Sequence, residues 1–385
     1  MIQVKRLLQI LIVLFSLVAI SGCWNYVEVD DLSIVAGVAI DKNPADGKLL
    51  LTVELIDTKG GTKQTQAGYK TISLTGDTMF EIVRNMISMT GKKLFWSHAK
   101  VIIISEEVAR SDGVIRFIDW YTRDTETRAD VFIFVSKEKT AREILDLQST
   151  MESITSFELA QMMRDEKYVS SAPTVEIWDF IDKLESRGKC AIAPLVYIHQ
   201  NDTTSSERVN GTAVFSKDRM VGTLSEEESK YMLFAKNDIK GGVLPVNDET
   251  GIPTFSLEII SNETKIKPLL TNEGIQIQIN TVTHTGLDEV MSSNGLSDFQ
   301  SQKAIEQRAE EELEKNILKV IYKVQQEYRS DIFGFGEIIH EQLPKTWKEM
   351  DDTWENEFSK LKFTVQSKVM IDNSARTSRS IRIGD

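Results

Sequence analysis

The chain has 385 residues, with 58 acidic side chains against 45 basic ones, a formal charge of −13, 41% hydrophobic residues and two cysteines. That length and balance fit a folded protein of two or three domains. The negative charge argues against nucleic acid as a partner and offers no polybasic route to anionic lipid.

The amino terminus sets the compartment. Lys5 and Arg6 precede the apolar run Leu7–Ile20, interrupted only by Gln9 and Ser16. A basic start, a short apolar stretch and small residues at a cut site describe a secretory signal over residues 1–22. The run is too short for a spanning helix, which needs about 20 apolar residues. Ile20-Ser21-Gly22-Cys23 has the form of a bacterial lipobox, with Cys23 as the thiol that takes the lipid. Two or more acyl chains make membrane residence stable. Without Lys5 and Arg6 the mature chain carries 43 basic against 58 acidic residues, near −15. Once Cys23 is acylated, Cys190 is the one thiol left, so no intramolecular disulfide is possible; its apolar neighbours predict a buried, inert group.

An aromatic and acidic leader, Trp24–Asp31, follows. Leu32–Ile40 and Leu49–Ile56 predict two strands joined by the turn cluster Asp41–Gly47, an antiparallel hairpin. Thr58–Gly68 is polar and glycine-rich, an exposed loop. Tyr69–Leu74 alternates as a strand, and Thr78 with Glu81 predicts a capping box for a helix that Gly91 stops. Val101–Ile104 and Val131–Val135 are wholly apolar, with a helix around Val114–Tyr121 between them. That pattern predicts a parallel pair buried on both faces. Lys137–Leu147 reads as helical.

Next come helices at Ser156–Met163 and at Val175–Leu184, the second expected to bury Ile177, Trp178, Ile181 and Leu184. Cys190–Ile198 and Gly211–Phe215 predict strands on either side of a polar loop Gln200–Asn210, with Met220–Leu224 continuing and a short acidic helix starting at Ser225. Phe255–Ile260, Thr264–Leu269 and Ile275–Thr283 are further strands. Leu296–Tyr328 carries the longest helical pattern: Leu313, Ile317, Ile321, Val324 and Tyr328 form the buried stripe, with Glu311, Glu312, Glu314 and Lys315 facing out. A helical stretch with Trp347 and Trp354 and a strand Phe363–Ile371 close the fold. The expected division is 23–148, 149–250 and 251–375, with a polar tail at 376–385. The fold class is α+β, multi-domain, with mixed sheets flanked by helices and a long helix packed on the last sheet.

The search for catalytic and metal motifs gives no site, and no cofactor is expected. His98, His199, His284 and His340 lack metal-ligand spacing, and His340-Glu341 lacks a second histidine. Gly334-Phe-Gly336 follows a helix and has no third glycine. Asp30-Asp31 and Asp351-Asp352 read as solvated acids. An enzyme reading requires His98 to cluster with acids in a pocket.

Several blocks together resemble the Ger(x)C family, the lipoprotein C subunits of spore germinant receptors. They are Gly22-Cys23-Trp24 with Glu28–Asp41, Ser97–Ile104, Arg123-Asp124 with Glu126 and Arg128, Gly211–Phe215, Met220–Leu224, Asp331–Glu337, Pro344-Lys345, Trp347 and Trp354. Asn25-Tyr26 departs from the basic residue that often follows the Cys-Trp pair. The resemblance implies a three-domain α+β protein, lipid-anchored through Cys23 on the outer face of the spore inner membrane. It also implies association with integral-membrane A and B subunits in nutrient sensing, no catalytic residues and no assigned nutrient ligand. The competing reading, a solute-binding lipoprotein of a transport system, would want two similar lobes around a cleft.

Overall fold

The structure, a computed structural model, describes residues 3–6, 9, 28, 31–57, 68–147, 154–202, 204–247, 253–291 and 299–373. Cys23, the cut site, most of the leader, most of the loop at 58–68 and the tail lie outside these. Among the described residues no helix is long and apolar enough to cross a membrane.

The first sheet has the order β3-β2-β1-β5-β6-β7-β8-β9. Its strands are β1 (Leu32–Lys42), β2 (Leu49–Asp57), β3 (Gly68–Gly76), β4 (Lys93–Phe95), β5 (Val101–Ser105), β6 (Phe132–Ser136), β7 (Ile192–Gln200), β8 (Ser205–Ser216) and β9 (Arg219–Leu224). The expected hairpin is β1–β2, which is antiparallel, and β5 and β6 are the expected parallel pair. β4 lies beside the start of β1, pairing Leu32 with Lys93.

The central strands are continuously apolar because both faces are covered. Val38, Ile40, Ile102, Ile104, Ile133 and Val135 point to one side, into a core with α1 (Met79–Thr90) and α3 (Ile115–Arg123). Ala39, Val101, Ile103 and Phe134 point to the other, into a core with Ile144 and Leu145 of the short α4 (Arg142–Leu145) and Leu159, Ala160 and Met163 of α5 (Thr155–Asp165). A strand's period of two forces this alternation. α2 (Glu106–Ser111) follows β5, with Ser105 as its N-cap. The helix expected over Lys137–Leu147 shrinks to α4.

The sheet crosses the expected division at 148/149: Val135 and Ser136 of β6 pair with Leu195 and Val196 of β7. The loop expected at Gln200–Asn210 is shorter, since β8 begins at Ser205 and pairs back to Gln200. Helix α6 (Ile177–Glu185) buries Ile177 and Phe180, but Trp178 is 55% exposed. Its indole N–H donates to Glu176 (2.5 Å), which holds the ring at the rim instead of in the core.

The second sheet has the order β10-β11-β12-β13: β10 (Val243–Asn247), β11 (Pro253–Thr271), β12 (Gly274–Val290) and β13 (Lys362–Asn373). The two strands expected at Phe255–Ile260 and Thr264–Leu269 are one strand, kept continuous by register shifts near Ser256 and Ile259. α7 (Glu226–Ala235) starts with a full capping box between Ser225 and Glu228. α8 (Phe299–Lys323) ends in a π turn at Val324–Tyr328 and buries Leu313, Ile317, Val320, Ile321 and Val324. The charges next to that stripe do not all face out. Glu306, Glu310 and Glu314, one helical turn apart, accept from the backbone N–H groups of Ile371, Val369 and Ser367 (2.8–3.0 Å). Glu312 accepts from the Asn247 N–H on β10 (3.2 Å). Strand N–H groups repeat every second residue and helix side chains every four, so an i, i+4 ladder of glutamates closes a sheet edge. Three short helices, α9 (Phe335–Gln342), α10 (Pro344–Met350) and α11 (Trp354–Phe358), lead back to β13. One apolar core runs from β1 through Phe180 and Phe335 to β13.

Candidate functional site at the joint of the two sheets

The segment Asp331–Glu337 is where the two sheets meet. Arg329 takes the left-handed conformation that ends the π turn, and the chain then folds around the Asp331 side chain. Asp331 Oδ1 accepts from the N–H groups of Phe333 (3.1 Å) and Gly334 (2.9 Å), and Oδ2 accepts from that of Gly336 (2.9 Å). Burial pushes the carboxyl up to about 6, and the surrounding N–H groups oppose that shift. The Asp331 carbonyl accepts from the Cys190 N–H (2.7 Å), tying the segment to the lead into β7.

The glycines here are packing requirements. A Cβ on Gly336 would lie 2.6 Å from the Gly188 carbonyl oxygen and 2.8 Å from the Trp354 ring. A Cβ on Gly222 of β9 would fall 2.1 Å from the Tyr328 ring, whose hydroxyl donates to the Thr223 carbonyl (2.8 Å). Phe335 stacks on Phe333 and Phe358, and Trp347 meets Trp354 edge-on at 5.2 Å. The paired acids Asp351 and Asp352 sit across the joint from Arg187 (3.5 and 2.9 Å). A cleft of about 360 Å³ opens beside them, lined by Arg187, Lys189, Lys217 and Arg329 among others. Cys190 sits in its wall. Burial pushes this thiol up to about 12, so it stays protonated, as the apolar neighbours predicted.

Four more carboxylates lie buried under the first sheet's helices, and sequence reasoning missed their roles. Asp41, read as part of a turn, accepts from the Ala141 and Arg142 N–H groups at the start of α4 (2.7 and 3.0 Å). Glu54, read as an ordinary strand residue, accepts from Thr155 and Ser156 at the start of α5 (3.1 Å each). Both are sheet residues capping helix N-termini about a hundred positions later, where exposed N–H groups attract negative charge. Glu166 accepts from the Ser171 and Ala172 N–H groups. Burial raises all three. Glu207 on β8 has no hydrogen bond to either oxygen among the described residues, and burial pushes it up to about 7. For Glu54, a charged residue inside an apolar strand was the available signal.

The predicted site residues are scattered. Cys23 lies outside the described residues. His98 is exposed and edge-on to Phe95 at 5.5 Å. His284 bonds Asp372 (2.7 Å), and His340 stacks on Trp347. Among the described residues no group of three or more His, Cys, Asp or Glu is placed to hold a metal ion. The arrangement at the joint ties residues leading into β7 to the segment after α8.

Comparison with known proteins places this architecture. A family model described as "Spore germination protein N-terminal domain" matches residues 25–198, and "Spore germination B3/GerAC like, C-terminal" matches residues 210–375. Together they take in most of the chain. This chain belongs to the Ger(x)C family of spore germination proteins. Spore germination protein YndF of Bacillus subtilis (strain 168) is 26% identical, over 95% of this chain and 96% of its own length. Spore germination protein KC of the same organism is 24% identical, over 92% of each. A crystal structure of the GerBC protein matches with a TM-score of 0.56 at 22% identity, covering 90% of this chain and all of that one, and shares its fold. The N-terminal family match ends inside β7 and the C-terminal one begins inside β8. The first sheet is therefore built by both, and the Ger(x)C joint binds residues from both as well.

Proposed function

We propose that this Ger(x)C protein is the membrane-anchored C subunit of a spore germinant receptor, lipidated at Cys23 and assembled with integral-membrane A and B subunits on the outer face of the spore inner membrane. The observation that carries the reading is the match of both halves of the chain, in order, to spore germination proteins. Chain geometry agrees with the tether. Leu32 opens β1 nine positions after Cys23. Fully extended, that linker reaches about 30 Å, so the end of the first sheet formed by the starts of β1 and β4 stays near the bilayer. The function is contact and assembly, and catalysis has no part in it. Substituting Cys23→Ala is expected to leave the far-ultraviolet circular dichroism of the purified chain unchanged. It should move the protein out of the spore membrane fraction and abolish nutrient-triggered germination. Normal germination with an unlipidated protein would overturn the proposal.

A further inference from the structure

A second cavity, of about 600 Å³, lies between α5, α6 and the end of α7, with Lys183 standing between it and the joint's cleft. Its walls include Phe132, Met163, Pro173 and Leu233, and exposed Trp178 stands at its rim. That volume and apolar lining are typical of small-molecule sites, which add a few charged groups to orient the ligand.

The charges decide the sign of the ligand. Of the four acids on the wall, three already have partners: Glu166 takes the Ser171 and Ala172 N–H groups, Glu176 takes the Trp178 indole, and Asp179 pairs with Lys183. Asp238 alone remains. Four cations, by contrast, have no carboxylate partner in hydrogen-bonding contact among the described residues. Arg164 donates to Gln161, Lys167 lies over the Tyr168 ring, Lys240 is exposed, and Lys236 donates a single hydrogen bond, to the Ile332 carbonyl (2.9 Å). An ammonium has three donors, so two of those on Lys236 are unspent.

We propose that this cavity binds a small organic carboxylate, its anionic group paired with Lys236 and its apolar body against Phe132, Leu233 and Trp178. Lys236 is the anchor because it is the one half-buried, unpaired cation of the four that also touches the joint. Burial holds its ammonium below the usual lysine range, and the charges of Asp238, Asp331 and Asp179 offset that cost only in part, so a carboxylate in direct contact relieves the rest. Arg164, Lys167 and Lys240 draw the anion toward the opening. The proposal goes beyond subunit assembly and does not depend on the lipid anchor. Because Lys236 holds the carbonyl next to Asp331, an occupied cavity also stiffens the joint.

The test is isothermal titration of the full-length chain in detergent micelles with 3-phenylpropionate, 3-phenylpropan-1-ol and inorganic phosphate. The expected result is saturable binding of the carboxylate at millimolar concentration or below, and at least ~10-fold weaker binding of the alcohol. Lys236→Met, which keeps the apolar stem, should weaken carboxylate binding by about the same factor. Trp178→Ala removes an exposed side chain and should weaken it several-fold without touching the fold. If Lys236→Met loses its circular dichroism signal, the alcohol comparison and Trp178→Ala decide. Equal binding of acid and alcohol, an unaffected Lys236→Met, no saturable heat up to about 10 mM, or phosphate competing as well as the carboxylate would each overturn the proposal.

Discussion

Asp331 and Glu207 are both carboxylates withdrawn from water, 1% and 3% exposed, yet they play opposite parts. At the joint, a loop is wrapped so that three backbone N–H groups converge on Asp331. On β8, the oxygens of Glu207 meet no donor in hydrogen-bonding geometry among the described residues. Burial pushes both groups up, and for Glu207 the charges of Glu158 and Glu54 push further. Burying a charge is costly in either place; what differs is the return in hydrogen bonds. Asp331 organises a turn around three backbone N–H groups. Glu207 is a cost carried by a strand that is otherwise well packed.

The largest effect should come from breaking the first case. Asp331→Ala orphans three buried N–H groups at once, each worth about 1–3 kcal/mol when unsatisfied, offset by removal of a buried charge. A net loss on the order of 3 kcal/mol is expected in urea unfolding. A loss below about 1 kcal/mol would mean that the turn holds itself without the carboxylate. Glu207→Gln should move stability the other way. The folded-state carboxyl, at about 7, titrates above its unfolded value. Its contribution is therefore fully present below the unfolded value and is lost as pH rises through about 7. The uncharged glutamine should be close to neutral at pH 5 and stabilising by on the order of 2 kcal/mol at pH 8. Paired urea melts at the two pH values check this. A variant less stable than the parent at pH 8 would show that Glu207 is paired after all.

The same contrast separates what could be read from sequence from what could not. Local periodicity carried the β1–β2 hairpin, the apolar β5 and β6, the caps at Thr78 and Ser225 and the buried stripe of α8, because each is dictated within a few residues. The cap at Thr78 is itself slightly shifted: Glu81 returns its hydrogen bond to the Asp77 N–H, one residue before the cap. The pairing of β6 with β7 was illegible, since it joins segments sixty positions apart with only two residue pairs. So were the roles of Asp41 and Glu54, whose partners lie about a hundred positions away. Trp178 fits the apolar face of its helix by spacing and is exposed nonetheless, its indole N–H held by Glu176. Of the joint, the block Asp331–Glu337 was visible as a break after a helix and as a resemblance. That its aspartate is an N–H-lined turn centre, and its second glycine a contact with Gly188, is tertiary information.

The glutamate ladder of α8 is the intermediate case, and it yields the smallest effect. Glu306, Glu310 and Glu314 accept backbone N–H groups as Asp331 does, but all three are only half-buried, so water can replace each of them. A single Glu310→Ala is expected to cost on the order of 0.5–1 kcal/mol in urea unfolding. A cost above about 2 kcal/mol would place the ladder with the buried carboxylates instead. The ladder's purpose should show in the triple variant Glu306→Ala, Glu310→Ala, Glu314→Ala. Without the glutamates, the outer edge of β13 presents a row of unpaired N–H groups, a template for strand pairing between molecules. Sedimentation velocity should then detect concentration-dependent self-association absent from the parent. A triple variant that stays as monodisperse as the parent would mean that α8 shields the edge by its bulk, with the carboxylates contributing only their individual hydrogen bonds.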